Sequence, residues 1–166
     1  VIRIERIDGG EDRAITPIGG DGVGAIYLQC NRNKRGMTLN PTADAGRLVT
    51  EKLVRNADIV VANFPEKALK SLGLDYERLR SIKSDIILST VNAFGDGPWQ
   101  DKLGFDGLAQ AMSGNLFLSG PQKIPTRSFT AYVDFGTACL CATATLAALM
   151  HRDQTGEGQL IEGALL

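Results

Sequence analysis

Few residues in this chain have the type and placement to do chemistry, and Asp134 is the first of them. It stands in "SFTAYVDFGTACLCATATLAALMHR", residues 128–152, directly before a run of small and apolar residues that predicts a helix starting near it. A carboxylate there meets orphan N–H groups and the positive end of the helix dipole, which favours its ionised form. Taken alone, the stretch reads first as an N-cap, worth about 1 kcal/mol, and second as a group the chemistry requires. Asp106 opens "DGLAQAM" and can cap a short helix in the same way. Lys34 and Arg35 in "NRNKRG" form a cationic turn that suits a polyanion, or else a plain solvated charge run. Cys30, Cys139 and Cys141 have no metal-ligand spacing, so no metal is expected, and the Cys-x-Cys inside an apolar helix reads as packing. His151, the one histidine, falls roughly 25 Å along the helix from Asp134 at 1.5 Å per residue, and is expected to complement the helix C-terminus.

The elements that must position these groups alternate. Residues 1–5 predict a strand, followed by a Gly- and Asp-rich loop, a second extended stretch "AIYLQC", and a short strand "MTLN". Asn40 and Pro41 then open a helix whose Ala45, Leu48, Val49 and Leu53 share one side. "ADIVVANF" suits a strand buried on both faces. Two short helices follow, the first stopped by Gly73 and the second capped by Asp75, and then the buried strand "DIILSTVNAFG". After the helices at "FDGLAQAMSG" and Asp134, "GQLIEGALL" closes the sequence as another strand. Such alternation defines an α/β layer with a largely parallel sheet and flanking helices. Ligands of such sheets sit at the carboxyl ends of the strands, which directs attention to the loops after "VVANF" and "STVNAFG".

Composition narrows the function classes. With 43% hydrophobic and 22% charged residues the chain has the balance of a globular protein with a real core. Eighteen basic against nineteen acidic residues leave no cationic excess for a nucleic-acid partner. No apolar stretch is expected to reach the ~20 residues of a membrane span, and the cytoplasm is the expected compartment. Both ends fall inside strand-like runs, so the sequence reads as a piece of a longer protein.

The order of five motifs carries the reading further. "NRNKRGMTLN", "ADIVVANF", "LGLDYERLRSIKSDIILSTVNAFGDGP", "GFDGLAQAMSG" and "YVDFGTACLCATATLAALMHRDQTGEGQLIEGALL" together resemble the class III CoA-transferases, whose superfamily includes formyl-CoA transferase, L-carnitine CoA-transferase and the α-methylacyl-CoA racemases. The resemblance implies a Rossmann-like α/β large domain in an interlocked dimer. Residues 1–166 would be a single partial domain, lacking the first strand-helix unit and the second half. It also implies that coenzyme A arrives as an acyl-CoA donor, that a carboxylate accepts it, and that Asp134 is the covalent nucleophile with Asp106 close to it. Asn63 and Phe64 match the pair that contacts CoA, Lys34 and Arg35 become candidates for its phosphates, and Leu39 and Ala68 fall where the nucleotide pocket is lined. Gly95, Gly97 and Pro98 match a loop near the active site. The small residues Gly136, Ala138, Ala142 and Ala144 would admit the thiol arm or a neighbouring backbone. Phe105 stands where the racemases carry a proton-transferring His, and Phe has no exchangeable proton, so a racemase is disfavoured. Ser71 and Leu103 replace basic side chains of some transferases, which leaves the acyl specificity open. A fragment of this kind is expected to be inactive alone.

Overall fold

A computed structural model describes residues 1–19, 23–122 and 124–166, so the middle of the glycine-rich loop, residues 20–22, lies outside the described residues. The chain forms two compact units, Val1–Thr50 and Glu51–Leu166.

In the first unit β1 (Ile2–Glu5) pairs in parallel with β2 (Arg35–Thr38), Ile2 opposite Arg35 and Glu5 opposite Thr38. Between them "AIYLQC" forms not a strand but the helix α1 (Ala25–Cys30). A six-residue apolar run fits either period, and here side-chain contacts decide: one helical turn brings the Tyr27 ring under the Arg3 and Arg13 guanidinium groups, 5.1 and 4.1 Å from its centroid. The Tyr27 hydroxyl and the Glu5 carboxylate both accept from Arg13, while Asp12 accepts from Arg3. This ion-pair network holds the Glu5 carboxyl at about 2, chiefly through the Arg13 hydrogen bond. Asn33 takes a left-handed φ of 61° and turns the chain into β2.

The helix expected to begin at Pro41 begins three residues later, as α2 (Asp44–Arg55). Asn40 caps a turn instead: its Oδ1 accepts from the Thr42 N–H and hydroxyl. Gly46 lies so close to the Asn40 carbonyl oxygen that a Cβ would come within 1.8 Å of it. The buried side of α2 consequently passes through Gly46 and Val54, and Leu48, expected inward, is 63% exposed.

The second unit is a three-stranded parallel sheet in the order β3 (Ile59–Ala62), β4 (Ile87–Asn92), β5 (Leu160–Ala164). Central β4 is buried along its first four residues. Edge strand β3 is not buried on both faces as its composition suggested: Val61 is 75% exposed, and among the described residues β3 is paired on one edge only, with β4. Helices α3 (Glu66–Leu72) and α4 (Tyr76–Ile82) match expectation, with Gly73 in a left-handed cap and Asp75 accepting from the Arg78 N–H. Val54, Leu79, Ile86 and Leu88 form the core of this layer.

Helices α5 (Asp106–Met112), the short α6 (Asn115–Leu118), which the sequence did not announce, and α7 (Tyr132–Thr155) complete it. Against expectation, α7 is long and apolar enough to cross a membrane by length and composition alone, because its charged residues stand at its ends. Thr137, Cys141 and Ala148 form its buried side and it packs on β4 and β5, whereas only 17% of its most apolar stretch is buried. Gly163 in β5 permits that packing, since a Cβ there would lie 2.3 Å from Cys141 Sγ. Arg152 in the last turn donates to the Asp58 carbonyl and carboxylate, and His151 beside it is exposed.

Candidate functional site at the start of the long helix

Parallel pairing puts the carboxyl ends of β3, β4 and β5 on one edge, and the chemistry-bearing residues of the second unit gather there. Asn92, the last residue of β4, turns the chain: its Oδ1 accepts from the Phe94 and Gly95 N–H groups at 3.2 and 2.6 Å. Gly95 and Gly97 adopt positive φ, and Phe94 stacks edge-on against Trp99 at 5.6 Å, which organises the "FGDGP" loop. The first turns of α7 reach the same edge, where the Thr137 hydroxyl donates to the Ala164 carbonyl at 3.4 Å.

Asp134 sits inside the first turn of α7, three residues past the N-cap position that it was expected to fill and that Ala131 occupies, and the residue is exposed. It is not the cap. The cap is Asp106, from another helix: its Oδ2 accepts the N–H of Val133 at 2.9 Å and of Asp134 at 3.3 Å. Asp106 was expected either to cap its own helix or, from the resemblance, to lie close to Asp134; it stands in the first turn of α5 with only 2% exposed, and its carboxylate turns to the start of α7. Its Oδ1 accepts from the fully buried Gln110 side-chain amide, and Gln110 Oε1 accepts the Ser128 N–H at 2.9 Å. Arg127 approaches Asp106 Oδ1 to 3.9 Å.

These neighbours set the acidity of Asp134. Desolvation and then the Asp106 charge raise its carboxyl above the ordinary range, while Arg127 lowers it. The helix terminus alone predicted the opposite shift. Once ionised, a carboxylate of raised basicity is the stronger nucleophile.

The remaining candidates are distributed over both units. Asn63 and Phe64 emerge exposed from the end of β3, and Ala68 lines a surface depression of about 390 Å³ with Pro65, Lys67, Ser71 and Asp101. Among the described residues none of these bonds to Asp106 or Asp134. In the first unit Lys34 and Arg35 are exposed, Lys34 held to Asn31 Oδ1 at 3.2 Å and Arg35 fixed in β2, and half-buried Leu39 follows β2. Gly136, Ala138 and Ala142 lie on the open side of α7 and Ala144 is half-buried. Phe105 is 75% exposed, and Leu103 is exposed beside it. Gln110 and Arg127 were missed. The four-residue spacing of Asp106 and Gln110 on one helix is a usable signal; Arg127, in a proline-flanked loop, gives none. Among the described residues no group of three His, Cys, Asp or Glu is placed to hold a metal ion.

A parallel α/β layer with flanking helices defines an α/β protein of the class whose ligands ordinarily sit at the carboxyl edge of the sheet, where Asp106 and Asp134 stand. The sequence model of CoA-transferase family III matches residues 1–166, and the chain belongs to that family. It is 37% identical over 175 residues to the succinate–glutarate CoA-transferase of Agrobacterium fabrum, across 100% of this chain and 44% of that protein. It is 34% identical over 140 residues to the formyl-CoA:oxalate CoA-transferase of Streptomyces avermitilis, across 84% of this chain and 34% of that protein. The crystal structure of a CAIB/BAIF family protein from Brucella suis superimposes with a TM-score of 0.92 at 35% identity, over 99% of this chain and 45% of that one. The chain thus spans less than half the length of these relatives.

Proposed function

We propose that the protein transfers CoA between carboxylic acids and that Asp134 carries the acyl group and the CoA in turn. The observation that carries this reading is a carboxylate on an exposed residue in the first turn of α7, partly desolvated and raised in basicity, whose backbone N–H is held by the buried Asp106, in a chain of a CoA-transferase family. The Asp134 carboxylate attacks the donor thioester carbonyl; the C–S bond breaks, CoA thiolate leaves and a mixed anhydride remains. Thiolate attacks the aspartyl carbonyl of that anhydride, which gives an aspartyl-CoA thioester and frees the donor acid. The acceptor carboxylate then attacks this thioester to form a second anhydride and thiolate, and thiolate attack on the acceptor carbonyl releases the new acyl-CoA and restores Asp134. No water enters, so the thioester's energy is conserved.

In the second unit Asn63, Phe64 and Ala68 are proposed to contact the CoA; for Lys34, Arg35 and Leu39 of the first unit a CoA role is supported by the order of motifs alone. The donor named for one relative is formyl-CoA and the acids named for another are succinate and glutarate, so a small carboxylic acid is the proposed acceptor class. An interlocked homodimer is proposed to shield the anhydride from water, and the isolated 166-residue chain to be inactive. Exposed Phe117 and Leu118 in α6 and exposed Phe129 just before α7 support a need for further covering protein.

The test is intact-protein mass spectrometry of the complete protein after incubation with succinyl-CoA and hydroxylamine or borohydride trapping. A mass change mapping to Asp134 is expected, together with loss of at least about 10³-fold of turnover in Asp134→Ala. Full turnover of Asp134→Ala overturns the proposal.

A further inference from the structure

Asp106 Oδ1 and Oδ2 do different work. Oδ2 holds the Val133 and Asp134 N–H groups, while Oδ1 faces the Gln110 amide, which is fully buried and has a partner at each end. The Ser128 N–H must meet the amide oxygen, so the amide nitrogen must meet Asp106; the flipped amide would set oxygen against carboxylate and N–H against N–H. Arg127 cannot replace this contact, because at 3.9 Å it is beyond hydrogen-bond distance and its side chain is 60% exposed.

We infer that Gln110 is the positioning residue for Asp134: its amide locks the Asp106 carboxylate in the orientation that lets Oδ2 hold the first turn of α7. Through Ser128 it also anchors the backbone next to Arg127. The two charges that act on Asp134 in opposite directions, Asp106 and Arg127, are thereby referred to one neutral side chain. A neutral group is required there. A cation would pair with Asp106 and weaken its hold on the helix, and an anion would repel it. Of the elements packed on α5, α6 brings no titratable group, α7 brings Asp134, and the preceding loop brings Arg127.

The inference rests on the Asp134 reading, and two substitutions in the complete protein separate the two. Gln110→Met keeps size and removes both hydrogen bonds. Gln110→Glu keeps the geometry only while protonated, because a carboxylic acid accepts from Ser128 with one oxygen and donates to Asp106 with the other. Above the shared titration of that carboxyl pair the two anions repel and the lock opens. The readout is the rate of adduct formation at Asp134 with succinyl-CoA, as a ratio to wild type at each pH from about 5.5 to 8.

Gln110→Met is expected to slow that rate at least about tenfold at every pH, in kcat rather than KM. Gln110→Glu is expected to approach wild type at the acid end and to fall towards the Met variant at the alkaline end. A Glu variant reduced equally at all pH values, or a Met variant as fast as wild type, overturns the role of Gln110 while leaving Asp134 as nucleophile. A wild-type protein that forms no adduct overturns both.

Discussion

Asp106→Asn changes one atom and one charge at the point where two helices meet, and the structure sets the size of the effect. The native carboxylate accepts three N–H groups, from Gln110, Val133 and Asp134, with 2% of the residue exposed. An asparagine can turn its single oxygen to α7, which leaves its amide nitrogen against the nitrogen of Gln110. The helix bonds then lose their charge assistance, roughly half their strength, and the third contact becomes a buried donor facing a donor, at about 1–3 kcal/mol. Together these predict a loss of about 2–4 kcal/mol, read as a lower urea midpoint at unchanged slope. The double variant Asp106→Asn/Gln110→Glu re-pairs the contact, since the glutamate can accept from both the new amide and the Ser128 N–H, and about half of the loss should return. The acid limb of activity should also move to lower pH in Asp106→Asn. Asp106 raises the Asp134 carboxyl, so removing that charge lets Asp134 ionise more readily. A single variant within about 0.5 kcal/mol of wild type, or a double variant that loses the sum of both singles, would refute this accounting of the Asp106 contacts.

Glu5→Gln should weaken the first unit by about 1–2 kcal/mol at neutral pH after allowance for solvent screening, seen as faster amide exchange in residues 1–14. Because the Glu5 carboxyl is lowered from 4.5 to about 2, that stabilisation is complete above the unfolded value and disappears as pH falls through the folded one, so wild type and variant should converge in strong acid. Gly163→Ala should cost about 1–3 kcal/mol of thermal or urea stability through the collision with Cys141 Sγ, and Cys141→Ala in the same chain should recover part of it. A Gly163→Ala protein as stable as wild type would contradict the packing of β5 on α7.

Much of the second unit was legible because its signals are local. Asp75 caps α4, Gly73 ends α3, and the β-branched run at 87–92 is the buried centre of the sheet. The departures arise where a distant neighbour decides. "AIYLQC" is helical because Tyr27 answers two arginines from other segments, and α2 starts late because Gly46 packs on the Asn40 carbonyl. Of the site, Asp106 and Asp134 were both singled out from the sequence, and what the sequence did not reveal is which of them caps α7. A cap donated by one helix to the start of another leaves no spacing in the sequence, so Asp134 looked like the cap that Asp106 supplies. Only the residue-by-residue order of motifs tied Asn63, Phe64, Lys34 and Arg35 to a common ligand.

The order β3-β4-β5 also bears on how the protein is made. β3 and β4 are separated by two short helices and can pair soon after synthesis, but β4 receives its other neighbour only when Leu160–Ala164 has emerged, after α5, α6 and α7. At ribosomal speeds of about 5–20 residues per second, the most deeply buried strand of the sheet keeps an open edge for roughly 3–14 seconds. Parallel pairing across so long a crossover is slow even without that delay. The nascent protein therefore passes through a period in which β4 presents an unpaired edge that a foreign strand could pair with.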